Sequence, residues 1–263
     1  ITSLSPFTVA SITPVIVDTQ TTNIILSVNF QFDSSKTTET ATSLASKITT
    51  TLRNYNSNNL AQFEGAFRHS KVTGLIDDTD TSITSNITTV TLAHNLKPTL
   101  NTSTAYTIQF NNKFYNPHSG HNSSSGGILA STGFKVSGDT TNVQFFDDDG
   151  AGNIRRYILV SGVRQYQDST AGTITYTTGE VKINNINIIT VENVDEVAST
   201  SIRITVTPDS LDIIPVRNQI LKIDFINTNV TGAVDTIATG DSSSGTTSSA
   251  ATTTSTYVTP SSY

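Results

Sequence analysis

From Ile24 to Phe32 the apolar side chains fall on every second position (Ile24, Leu26, Val28, Phe30, Phe32), and Ser27, Asn29, Gln31 and Asp33 face the other way. A period of two is that of a half-buried strand. Asp33, Ser34 and Ser35 then offer caps, and Ala41, Leu44, Ala45, Ile48, Leu52 and Tyr55 recur at three and four, which predicts a helix over 36–55 lying on that sheet face. Its Thr content lowers intrinsic helicity, so packing must hold it. The NYNSNN cluster at 54–59 is expected to end the helix and turn the chain. A short strand, a second helix over 70–77 capped by Ser70, and a strand over 86–92 complete a small α/β module.

Beyond Tyr106 the helical period disappears. Short strands are predicted at Tyr106–Phe110, 143–146, 154–160, 173–176, 180–188, 202–206 and 220–226, with turn signals at Asp149-Gly150, Ala171-Gly172 and Thr178-Gly179. The pattern predicts an α+β protein. A strand-helix-strand-helix-strand module occupies 1–97, a β-rich antiparallel module, meander or barrel-like, occupies 98–231, and an extended Ser/Thr-rich arm occupies 232–263. The arm has few apolar anchors, chiefly Val234, Ile237, Tyr257, Val258 and Tyr263. They are too few to offset the entropy of ordering it alone, so these five are the candidate subunit-contact residues.

Composition narrows the function. Charged residues are 14% of the chain and the net charge is −6, so no basic face is available to displace counterions from a nucleic-acid backbone, and nucleic acid is excluded as a partner. Cysteine is absent, which removes disulfides and thiolate metal sites. No run reaches the roughly 18 apolar residues needed for a membrane span. A chain with no Met at all is expected to be the C-terminal portion of a longer product.

Candidate chemistry is sparse. Asp147, Asp148, Asp149, Gly150 and Asn153 cluster as calcium ligands do, but without alternating spacing or a distant Glu; a hairpin tip accounts for them better. Asp77, Asp78 and Asp80 fit local turn bonds rather than a catalytic pair. His118 and His121 stand three apart in a Gly/Ser-rich loop with no rigid element to set metal geometry, and His69 and His94 are isolated. Arg155, Arg156 and Arg164 are too few for a nucleic-acid patch, and one of them is expected to pair with the acidic turn. With no GxSxG, P-loop or GxGxxG, the expectation is no catalytic residue, no cofactor and no metal.

The stretch FRHSKVTGLIDDTDTSITSNITTVTL resembles the large baseplate wedge proteins, baseplate J-like, of T-even-type contractile-tailed bacteriophages. The later pieces YTIQFNNKFYNPHSGH, GILASTGFKVSG, DDDGAGNIRRYILVSG, DSTAGTITYTTGEVKIN and PDSLDIIPVRNQILKID are similar to that family's C-terminal half. The likeness runs over about 4–240, and its motifs are structural rather than catalytic. It implies a virion protein of the tail baseplate, assembled in the host cytoplasm. Such a protein pairs with another copy of itself and with other wedge subunits, links wedges into a ring around the tail tube and rearranges on sheath contraction. The competing class is a glycan-binding or adhesin module of a tail fibre. The absence of Trp and the placement of most aromatics at alternating core positions weaken that reading.

Overall fold

The computed structural model describes residues 20–193 and 198–238. Strand β1 (Gln20–Phe32) alternates as expected, with Ile24, Leu26, Val28, Phe30 and Phe32 all buried. Against that face lies α1 (Ala41–Tyr55), which buries Leu44, Ile48, Leu52 and Tyr55. Each such aliphatic side chain contributes about 1.5–3 kcal/mol relative to exposure, and this offsets the weak propensity of a helix so rich in Thr.

Several boundaries differ from the sequence reading. The first helix starts at Ala41 rather than Lys36, because Thr40 accepts the Ser43 N–H and acts as the cap, whereas Asp33 spends its carboxylate on the Ser35 N–H and hydroxyl. NYNSNN does not stop the helix at once; residues 56–60 continue it as a π-helical turn, in which the Asn56 side chain accepts the Ile223 N–H. The second helix, α2 (His69–Asp77), has no cap from Ser70. Its first N–H, that of His69, is taken by Asp212, a residue 143 positions away that also pairs with Arg68. The short strand expected between the helices is only an isolated bridge from Phe67 to Ile213.

Strand β2 (Ile83–Leu96) runs antiparallel to β1. After β3 (Ser103–Gln109), β4 (Leu129–Ser131) and β5 (Phe134–Val136), the antiparallel run continues with β6 (Asp139–Asp148), β7 (Asn153–Val160), β8 (Val163–Thr175) and β9 (Glu180–Val191). The pairings β6–β5–β9–β8–β7 close through β6–β7 into a five-stranded barrel, while β3 adds to β9. Phe134 and Phe146 meet inside it at 4.6 Å. Ala171-Gly172, read as a turn, lies within β8. Glycine is needed there for close approach rather than reversal, since a Cβ on Gly172 would stand 2.1 Å from the Lys182 carbonyl oxygen. The actual reversal is Ser161-Gly162, both at positive φ.

The sheet passes without a break across the expected boundaries at 97 and 231. Strand β10 (Ile202–Val206) joins β2 to β4, β11 (Gln219–Ile223) runs parallel to the start of β1, and β12 (Asn229–Val234) runs parallel to its end. The predicted strand 220–226 stops at Ile223, and β12, which the sequence reading divided between the end of the β-rich module and the start of the arm, is a sheet strand. Within β12, Gly232 stands opposite Phe30, whose ring occupies the space a Cβ would take, 2.3 Å away. One apolar cluster connects the helical layer to the barrel interior.

Candidate functional site

The acidic turn carries the densest polar chemistry in the described residues, and all of it is spent internally. Asp147, 1% exposed, receives Arg155 Nε at 2.9 Å, Tyr166 Oη at 2.9 Å and Arg164 Nη1 at 3.5 Å. Burial pushes its carboxyl above the ordinary range, against the pull of those three groups. Asp148, fully buried, accepts the Ile128 and Leu129 N–H groups at 2.7 Å each, the Tyr176 hydroxyl at 2.6 Å and the Gly150 N–H at 3.1 Å. Burial and then that carboxylate raise the Tyr176 hydroxyl, which stays protonated and donates. Gly127, at φ 64°, makes room for the carboxylate, because a Cβ there would sit 2.1 Å from Asp148 Oδ1. Asp149 closes its own turn on the Ala151 and Asn153 N–H groups. The arrangement is a lock between β6, β7, β8 and the 123–129 loop. Two arginines, Arg155 and Arg164, pair with it; Arg156 bonds Gln144 instead.

The carboxylates of Asp77 and Asp80 in the 77–80 turn are each engaged locally rather than paired with one another. Asp77 accepts from Asn86, and Asp78 lies at the C-terminal cap of α2. Asp80 is held down to about 2 by the Ser82 hydroxyl, then by Lys47 and the Ser82 N–H. Its folded value lies below its unfolded one, so its contribution is present above the ordinary carboxylate range and is lost as pH falls through about 2. We therefore expect Asp80→Asn to be less stable than the parent at pH 6, with the two denaturation midpoints converging between pH 4 and 2; a constant offset across that window would contradict the assignment.

His69 Nε2 lies 2.8 Å from the Thr88 carbonyl, and His94 packs edge-on to Phe110, where burial lowers its imidazole. His118 and His121 do meet, with nitrogens 3.3 Å apart and Tyr115 against the second ring. Among the described residues, however, no three His, Cys, Asp or Glu side chains are grouped so as to hold a metal ion. No described helix is long and apolar enough to cross a membrane.

Contact surface is more telling than chemistry. The β7–β8 tip exposes Leu159 at 51%, Val160 at 48% and Val163 at 69%, on a two-stranded ribbon that cannot cover them itself. Of the five arm residues, Val234 ends β12 and Ile237 is 89% exposed in the turn after it. Tyr257, Val258 and Tyr263 lie outside the described residues. Sequence reasoning missed the hairpin tip, because Leu159 and Val160 read as ordinary strand residues and Val163 fell between predicted strands, until the barrel leaves them uncovered among the described residues.

Residues 21–95, which span β1, α1, α2 and β2, match the family described as baseplate structural protein gp6, C-terminal domain III. Comparison with curated proteins finds no match. The family match supports a structural role in a phage baseplate and covers less of the chain than the resemblance over 4–240.

Proposed function

We propose that this chain is a structural subunit of a contractile-tail baseplate wedge, without turnover, which joins wedges into a ring around the tail tube and repacks when the sheath contracts. The observation that carries the reading is the family match over the β1-α1-α2-β2 layer. It is supported by the acidic cluster, the chain's most reactive-looking group, being consumed as a barrel lock. Its partners are other copies of itself and the remaining wedge subunits, and its location is the virion tail.

The contacts are made at two places, the exposed apolar side chains of the β7–β8 tip and the arm residues Val234, Ile237, Tyr257, Val258 and Tyr263. Many modest contacts of this kind let a ring change packing without unfolding its subunits. Cross-linking mass spectrometry on the intact particle tests this. Links from Lys135 or Lys182 of the barrel to other baseplate subunits are expected; a chain linked only to distal fibre proteins, or displaying saturable binding on a glycan array, would overturn it in favour of an adhesin.

A further inference from the structure

Among the described residues, strand β12 is an edge strand. In its parallel ladder with β1, Asp235 N donates to the Phe32 carbonyl, which fixes the phase: Asn229, Thr231 and Ala233 face β1, and the N–H and C=O groups of Val230, Gly232 and Val234 point away from it, toward no other described strand. The sequence NVTGAV carries no charge and no proline, the usual guards of an open edge. Beside the edge runs a groove of about 300 Å³, floored by Phe225 and Val230 and walled by Thr42, Ala45, Ser46 and Thr49 on the flank of α1. An edge strand next to a helix flank, with a slot between them, is the geometry that accepts an added extended segment.

The slot has no charged lining residue and sets one aromatic ring, Phe225, and Val230 among Thr, Ser and Ala, so it favours an uncharged, β-branched segment. Residues 246–259, TTSSAATTTSTYVT, fit that description: no charge, no glycine, no proline, and seven β-branched Thr among fourteen positions. The segment 1–19 does not fit, because Pro6 and Pro14 interrupt its donors and Asp18 brings a charge. Before and after β12 in the chain, Ile226 is 91% exposed and Ile237 89%, and Val234 at its end is 45% exposed. A second copy laid along the whole edge reaches these side chains at both ends of β12, whereas the chain's own tail must first turn at Ile237. We propose that β12 is extended by residues 246–259 of a second copy, seated between its free edge and α1. This gives the arm contacts of the preceding section a receptor on the same chain, and it stands or falls independently of the baseplate assignment.

The chain has no cysteine, so pairs introduced by mutation report without background. Full-length protein carrying Ser46→Cys is mixed with full-length protein carrying Thr252→Cys, Thr253→Cys or Thr254→Cys, and the mixture is oxidised. A disulfide between different copies is expected for at least one of the three. Trapping should fall at least tenfold when Val234→Pro removes an outward N–H of the acceptor edge, while the amides of 24–32 stay protected from exchange. If chains bearing both cysteines instead close on themselves at high dilution and mixed single variants do not join, the occupant is the chain's own tail. If none of the three joins, or Val234→Pro leaves trapping unchanged, the edge is not the receptor. Either result overturns the proposal.

Discussion

Phe30→Ala is expected to lower folding stability by about 3–5 kcal/mol, the range for deleting a fully buried aromatic ring from a core that cannot collapse around the loss. Phe30 is 1% exposed, lies 6.2 Å from Phe32 between ring centres, and fills the space above Gly232. Its removal therefore opens a void against β12 as well as beneath α1. Urea denaturation followed by far-UV circular dichroism would show a midpoint lowered with an unchanged slope. A near-neutral variant would mean that this ring does not seat β12.

The second large effect is expected at Asp148. Truncation to Ala leaves the Ile128 and Leu129 N–H groups and the Tyr176 hydroxyl without their acceptor in a dry site, and each buried unpaired donor costs about 1–3 kcal/mol. A loss above about 3 kcal/mol is expected. Asp148→Asn keeps one acceptor oxygen for the two backbone donors and should lose less than the Ala variant. Equal losses for Asn and Ala would show that shape rather than hydrogen bonding makes this residue necessary. Addition of calcium should rescue neither variant; restoration by the ion would place a metal where the structure places a polar lock.

How much of this was legible in the residues depends on the range of the interaction. The core face of β1 and the stripe of α1 could be read because period and burial are both local: Leu26, Val28, Phe30, Leu44, Ile48 and Leu52 all belong to one cluster. The cap of α2 was misread because its partner is distant. Ser70 is a good cap by type, but Asp212 reaches the helix start first, and no pattern near residue 70 announces it. The same holds for Gly172, where a turn signal by composition is a close-approach signal by structure. Strand β12 was hidden because NVTGAV is short, lacks bulky alternation and sits beside a Ser/Thr-rich tail; only its parallel register with β1 makes it a strand. The acidic turn lies at the β6–β7 hairpin, as its residues suggest, but its role as a buried lock depends on Gly127 and Tyr176, which lie 21 and 28 residues from Asp148.

Those distant partners of β1 also set the order in which the protein is made. Strand β2 is available soon after β1, but β11 and β12, which cover the other edge of β1, follow roughly 140 residues later. At about 5–20 residues per second of synthesis, that edge waits roughly 7–28 s after β2 is complete. During this interval a nascent chain presents Ile24 to Phe32 with one flank open. The layer that carries the baseplate match is therefore the first to be synthesised among the described strands and among the last to be completed. Premature release or truncation before Val234 should yield a product that associates through the flank β12 would have covered.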